Sequence, residues 1–379
     1  MKRINHIIML LAGIVAMLTV TSCSRQDYSN SIPATATAVL DMNAMELTGK
    51  DSPFQSLLLP FVSEDSKELK GIDMTKDIYA FETPDGMLGV TAPVIDDYDL
   101  NDFLSRLKNL GAVKELKEID DITYCVISGR WVLGFDESRI LIMGPVMDSE
   151  TEQEKMVHRM NGMLEQTEEE SVKTTELWKR LQEMKAPVNL VAQASALPEQ
   201  MVSACTIGTP KGTDPADVML QAELKYEDGT LYMDGKTCSF NPNVQQSIEQ
   251  AQKVYRPMTM EWEKMMKDTT FIGIFMNVIG DEYMPYLSAN KSISTMLLGS
   301  SAYDKIKNNN GNIAILLTPK QGMGIVEGLD ARVINMPKGE KESGEKLVVT
   351  LNLSSLSGTL ADAVVPYMGK IKRIVYRMR

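Results

Sequence analysis

Apolar positions along this chain follow two rhythms. Alternation at every second residue marks Thr123 to Ser128, Trp131 to Phe135 and Ile140 to Met143 as strands, because successive strand side chains point to opposite faces. Short turns at Gly129-Arg130 and Asp136-Glu-Ser138 make the three an antiparallel meander. Steps of three and four place Leu100, Phe103, Leu104, Leu107 and Leu110 on one helix face, with Gly111 as a C-terminal cap. Residues 150 to 185 predict two more helices. One carries Met156, Met160, Met163 and Leu164, the other Leu177, Trp178, Leu181 and Met184, with a polar break at Glu168-Glu169-Glu170.

The second half repeats this plan. Ile32 to Leu47 reads as a strand running into a helix, and Val188 to Met201 echoes it. Hairpins are expected around Asp228-Gly229 and Asp234-Gly235, as around Asp85-Gly86 in the first half, since Asp-Gly suits the tight turn between paired strands. Helices follow at Val244 to Tyr255 and Met260 to Lys267, interrupted by Pro257. Strands are expected at Phe271 to Val278, Ile313 to Thr318, Gly324 to Asn335 and Leu347 to Leu353, then an apolar helix near Leu356 to Met368. Hairpins with interspersed helices predict an α+β fold of two related antiparallel sheet-plus-helix units in tandem, each sheet covered on one face. The boundaries are a signal peptide at 1–22, a tether at 23–31, a first unit at 32–150, a helical connector at 151–186 and a second unit at 187–379.

The first residues have a different logic. Lys2 and Arg3 precede an apolar run from Ile7 to Val20, which closes on Val20-Thr21-Ser22-Cys23. A cationic start followed by an apolar stretch is a secretory signal, and this one is shorter than the ~20 residues that span a bilayer. Its ending resembles the lipobox of bacterial lipoproteins. The resemblance implies cleavage between Ser22 and Cys23 and acylation of Cys23. Each buried methylene contributes ~0.8 kcal/mol, so two or three chains hold a protein stably at a membrane. Ser24 would be the second mature residue; the absence of aspartate there implies, by the same resemblance, the outer membrane.

Charge and composition narrow the function classes. The formal net charge is −12, and removal of Lys2 and Arg3 with the signal makes it more negative. Such a body lacks the clustered cations of a nucleic-acid groove. Cys125 lies in the apolar run Ile122-Thr-Tyr-Cys-Val-Ile127 and reads as a buried thiol. Cys205 and Cys238 form a candidate disulfide, which an oxidising envelope permits. His6 leaves with the signal, and His158 sits on a charged helix. No multi-histidine metal site can be assembled, a histidine triad would have to use His158, for which a solvated helix face is the simpler reading, and neither a metal nor a cofactor is expected.

Several local motifs have simpler readings. Asp97-Tyr-Asp99-Leu-Asn101-Asp102 starts like a calcium loop but places Asp102 where glycine is needed and Lys108 where a bidentate glutamate is needed; Asp99 or Asn101 as a helix cap explains it better. Gly322-Met-Gly324-Ile-Val-Glu-Gly328 continues into an alternating strand pattern, not the helix a dinucleotide loop requires. Ser288-Ala-Asn-Lys291 and Ser105-Arg-Leu-Lys108 match Ser-x-x-Lys without its companion motifs. The paired methionines, such as Met258/Met260, stand among core positions, where thioethers fill gaps. At the C-terminus, Lys370, Lys372, Arg373, Arg377 and Arg379 contrast with the acidic body. They are expected either to meet a protein partner or anionic lipid, or to guard an edge strand.

One wider resemblance covers most of the mature chain. The motifs are the lipobox, Ile32-Pro33-Ala-Thr-Ala-Thr-Ala38, Trp131-Val-Leu-Gly134-Phe-Asp136 and Ile140-Leu-Ile-Met143. Together they resemble Bacteroidetes envelope lipoproteins of a domain-of-unknown-function family (DUF 4836-like). The resemblance implies a place and no established activity. Ser24-Arg-Gln-Asp27-Tyr holds one acid where surface-exported lipoproteins carry an acidic cluster, so the periplasmic face is expected, with surface display as the alternative. The expected function is a lipid-anchored, non-enzymatic binding or assembly role at the outer membrane. The alternative is a hydrolase built on carboxylates, which need no histidine.

Overall fold

A computed structural model describes residues 27–43, 71–119, 122–127, 129–196, 209–210, 212–289, 301–319, 329–336, 339, 342–355 and 371–379. The first half contains β1 (Ala38–Asn43), β2 (Asp77–Glu82), β3 (Leu88–Pro93), α1 (Asp97–Asn109), β4 (Lys117–Ile119), β5 (Ile122–Ile127), β6 (Trp131–Phe135) and β7 (Arg139–Gly144). Two helices follow, α2 (Glu150–Leu164) and α3 (Glu176–Gln182). Next come β8 (Val188–Gln193), β9 (Val218–Glu227), β10 (Thr230–Ser239), α4 (Pro242–Gln252), β11 (Tyr255–Arg256) and β12 (Ile272–Ile279). The chain ends with α5 (Gly280–Ala289), α6 (Ser301–Lys307), β13 (Asn310–Pro319), β14 (Leu329–Met336), β15 (Leu347–Asn352) and β16 (Arg373–Met378).

The strands form one sheet in the order β14-β13-β12-β15-β16-β10-β9-β8-β1-β2-β3-β7-β6-β5-β4, with β11 paired to β12. The fold is α+β, as expected, but the sheet runs unbroken through both halves of the chain. Its seam is the antiparallel pair β1·β8, in which Leu40 faces Leu190 and Val39 faces Val191. Both faces are covered, where coverage of one face was expected. On one, α2 and α3 bury Met156, Met160, Leu164, Leu177 and Leu181 against Val39, Leu141 and Val191. On the other, α1 brings Leu100 and Leu104 onto Ile78, Leu133 and Ile140. Double coverage explains near-continuous apolar runs such as Ile313 to Leu317, since each face of such a strand needs its own apolar set.

Several turn and cap readings hold. Asp228 and Gly229 take φ of 46° and 81° between β9 and β10, and Gly111 takes 75° after α1. Asp234-Gly235 is different: both residues lie within β10. Gly235 is there because a Cβ would stand 2.5 Å from Tyr376 Cε2 on β16, the close approach that glycine inside a strand often marks. The cap of α1 is Asp96, whose carboxylate accepts from the Asp99 amide at 2.9 Å, not Asp99 or Asn101. The expected helix at Met260 to Lys267 is one 3₁₀ turn, Trp262–Met265. The helix expected near 356–368 and the helix into which the opening strand was expected to run by Leu47 lie outside the described residues.

The body also starts earlier than Ile32. Tyr28–Ser31 form a 3₁₀ turn capped by Asp27, with Ser29, Asn30 and Ser31 buried. Ser31 Oγ donates to Thr91 Oγ1 at 2.9 Å, and Tyr28 OH donates to the Asp77 carbonyl at 2.8 Å. Lys173 and Ser29 hold the Asp27 carboxyl below its usual range, although burial works against them. Half of the expected tether is therefore part of the fold.

Candidate functional site

Sheet register brings a line of polar side chains across the seam. Tyr79 faces Asp41, Asp41 faces Asn189, Asn189 faces Glu223, Glu223 faces Asp234, and Asp234 faces Arg377. These six residues come from β2, β1, β8, β9, β10 and β16, and they share the face on which α3 packs. A direct Glu223–Asp234 pairing places like charges opposite one another, which disfavours the pair. Arg377 answers it. Its Nε and Nη2 donate to the Asp234 carboxylate at 2.5 and 2.9 Å, and its guanidinium lies 4.3 Å from the Tyr232 ring centre. Arg379 adds a contact to Asp234 at 3.3 Å.

This arrangement overturns the reading of the C-terminus as an edge strand. β16 lies between β10 and β15, parallel to the first and antiparallel to the second. Arg377 is committed to an acid of the chain itself, whereas Lys372 is exposed. Lys370 lies outside the described residues.

The buried end of the line holds two carboxylates. Asp41 and Asp77 sit on neighbouring strands, with Asp77 opposite Asn43. Burial and the Asp77 charge push the Asp41 carboxyl up to about 6, against a hydrogen bond from Asn189. Tyr79 is pushed above its usual range chiefly by burial, then by Asp41 and Asp77. Its ring centre lies 5.1 Å from that of Trp178 on α3 and 5.8 Å from that of Tyr28. None of these acids belongs to a motif. The available signal was an acid at a core-facing position, because Asp41 shares its strand face with Val39.

Two grooves flank this face. A groove of about 390 Å³ includes Glu183, Gln221, Glu223, Asp234, Lys236 and Arg377. A larger one, about 620 Å³, opens between α2 and β4–β5. Its floor includes Tyr124, Val126, Val132 and Val157, and its rim Lys114, Asp148, Glu150, Glu154 and His158. Gln153 braces the rim, donating to the Gly129 carbonyl and to Asp148, each at 3.1 Å. His158 is exposed at this rim, on the helix expected for it.

The remaining sequence candidates disperse. Cys125 is buried, and burial pushes its thiol up to about 12. Cys238 is a buried free thiol 3.6 Å from Gln221 Oε1; Cys205 lies outside the described residues. Ser22 and Cys23 also lie outside them. Met160 and Met163 enter the core beneath α2, and Met258 and Met260 the core around Phe275. Among the described residues no three His, Cys, Asp or Glu converge to hold a metal, and no helix is long and apolar enough to cross a membrane.

No curated protein matches the chain. Among solved structures, crystal form I of TP0453 is 10% identical at a TM-score of 0.37, covering 62% of this chain and 89% of that one. Crystal form IV is 8% identical at 0.35, covering 57% and 82%. The sequence of residues 41–315 matches the family described as Domain of unknown function (DUF4836). That match begins at Asp41, inside β1, and includes Asp77, Tyr79, Asn189, Glu223 and Asp234. The chain belongs to the DUF4836 family.

Proposed function

We propose that this protein is a lipid-anchored envelope protein with a non-enzymatic binding or assembly role at the outer membrane, held through acyl chains on Cys23. The observation that carries the proposal is where the folded body begins. Asp27 caps its first turn, four residues beyond Cys23. Four residues span at most ~14 Å, so an acylated Cys23 keeps the body beside the bilayer on its periplasmic face, or beyond it if displayed at the surface. The larger groove, with its apolar floor and charged rim, has the make-up of a site that holds a ligand. Lys372, just before β16, and Arg373, its first residue, are the candidate contacts for an acidic partner or lipid.

The tandem reading belongs to the same proposal. In each half a leading strand, β1 or β8, borders a hairpin followed by a helix, β2–β3–α1 or β9–β10–α4. The two leading strands pair antiparallel about Leu40 and Leu190, as expected of duplicated units meeting across a local two-fold axis. Units at 32–150 and 187–379, joined by 151–186, fit that relation.

A carboxylate-based hydrolase is the weaker reading. Its acids would have to flank a cleft; Asp41 and Asp77 line neither groove, and Asp148 on the rim of the larger one is tied to Lys114 and Gln153. Asp234, which lines the smaller one, is tied to Arg377 and Arg379.

The test is Cys23→Ala with metabolic fatty-acid labelling and cell fractionation. The expected result is an acylated wild type in outer-membrane fractions and an unlabelled, released variant. Wild-type protein without label, or membrane retention unchanged by the substitution, would overturn the anchor. Crosslinking of the anchored protein in intact envelopes then tests binding; a partner lost on Val157→Glu in the larger groove is expected.

A further inference from the structure

The larger groove runs out to an open edge of the sheet. β4 ends the strand order and, among the described residues, pairs with β5 alone. Lys117, Glu118 and Ile119 are all exposed, and the backbone groups on the outer side of such a strand have no ladder partner. Lys117 pairs with Tyr124 and Ile119 with Ile122, so these residues share one face of the sheet. It is the face on which α2 lies, because Tyr124 OH donates to Asn161 Oδ1 on that helix at 3.0 Å. The groove is the strip of this face between α2 and the edge. Ile119, 39% exposed, lines it from the edge strand itself.

The charges beside the groove are one-sided. Lys114 is held by Asp148 at 2.9 Å and Glu115 by Lys108 at 3.7 Å. On the α2 wall, Glu150, Glu154 and His158 follow at steps of four and so line one helix face. Among the described residues the Glu150 and Glu154 carboxylates form no ion pair, whereas their neighbour Glu152 holds Lys155. An occupant therefore meets an open backbone edge, an apolar floor and two unanswered negative charges on the same wall. A small apolar molecule would use the floor alone. An extended chain uses all three: its backbone continues the sheet beyond β4, and every second side chain enters the groove. We propose that the larger groove and β4 together take an extended peptide segment of a partner protein, added as a strand. Its groove-facing side chains alternate between apolar residues, for the floor, and lysine or arginine, for Glu150 and Glu154. Such a partner presupposes that the groove is the binding site, and adds its chemistry to that role.

The probe is a fluorescein-labelled nonapeptide, Lys-Thr-Val-Thr-Lys-Thr-Val-Thr-Lys, followed by fluorescence anisotropy with the full-length protein. Saturable binding is expected, weakened roughly tenfold or more when glutamate replaces every peptide lysine. Alternate amides of a strand point to opposite edges. N-methylation of one alternate set should therefore abolish binding, and of the other set should spare it, with every side chain retained. Glu154→Lys should weaken binding of the lysine peptide roughly tenfold, and Ile119→Asp should weaken it as well. Both positions are exposed, and circular dichroism checks that each variant is folded. Neutral Nile red reports the groove itself. Nile red bound, displaced by Val157→Glu, with the lysine peptide unbound, would overturn the peptide segment and leave a groove for small apolar ligands. If neither probe binds, the groove's binding role falls together with the peptide. Equal affinity for the lysine and glutamate peptides, or indifference to both N-methylated sets, would also overturn strand addition by a basic segment. So would lysine-peptide binding unchanged in folded Glu154→Lys and Ile119→Asp proteins. Self-association of the protein that Ile119→Asp abolishes would instead give the edge to a second copy of this chain.

Discussion

Phe81 of β2 and Gly89 of β3 are direct cross-strand partners, and the Phe81 ring fills the space where a side chain at 89 would stand. A Cβ built on Gly89 would lie 2.1 Å from Phe81 Cζ, while Phe81 is itself buried in the core beneath α2 and α3. Tyr124 treats its partner Gly134 the same way, at 2.5 Å. Gly89→Ala should therefore destabilise the protein by about 1–3 kcal/mol through overpacking. Urea unfolding measures it, and a smaller penalty is expected in a Phe81→Leu background because the two positions share one space.

Asp41 predicts a specific pH dependence. Its carboxyl is raised from 3.8 to about 6 in the fold. A group that holds its proton more tightly when folded opposes folding once ionised. Its penalty is absent below pH 3.8, grows as the pH rises and is complete above about 6. Partial exposure screens it to about 1–2 kcal/mol. Asp41→Asn should be more stable than wild type at neutral pH, with the difference vanishing near pH 4. Denaturation across that range measures the difference.

Cys125 should be chemically silent in the folded protein. It is 2% exposed, and its thiol is pushed up to about 12 by burial, so little reactive thiolate exists at pH 8. Alkylation mapped by mass spectrometry should leave Cys125 unmodified in buffer and modify it fully in denaturant.

The contact of Arg377 with Asp234 is planar and two-pronged, and lysine cannot reproduce it. Arg377→Lys and Arg377→Met should both destabilise, by about 1–3 kcal/mol, because Asp234, opposite Glu223, loses its two-pronged partner and keeps only the Arg379 contact. Asp234→Asn combined with Arg377→Met should recover part of the loss. A double-mutant cycle in urea measures the coupling.

Ending the chain at Lys372 removes β16 and separates β10 from β15. The truncated protein should lose cooperative unfolding of the whole sheet and form soluble aggregates, read by circular dichroism and light scattering. A substitution confined to Lys372 should not have this effect.

The parts of this fold legible in sequence are those whose causes are local. The meander β5–β7 follows from alternation and short turns, α1 from its apolar spacing and Gly111, and the β9–β10 hairpin from Asp228-Gly229. Seam and centre were not legible, because β1·β8 and β10·β16 join segments more than a hundred residues apart. Asp234-Gly235 carries a strong turn signal that Tyr376 overrides from a distant strand. The C-terminal cations read as a partner or lipid contact or as an edge guard, because the acid that neutralises Arg377 is far away in sequence. Asp41, Asp77 and Asn189 likewise acquire their meaning from register, which no spacing within one strand reveals.

The place of β16 also sets a timetable. While the ribosome is still making the chain, β10 and β15 have no neighbour on the sides where the last strand belongs, and both are bare edges of the kind that recruit foreign strands. The middle of the sheet can close only after residues 373–378 have emerged. A polypeptide that crosses a membrane unfolded and folds afterwards meets that requirement automatically; one that folded as it emerged would wait, half-built, for β16.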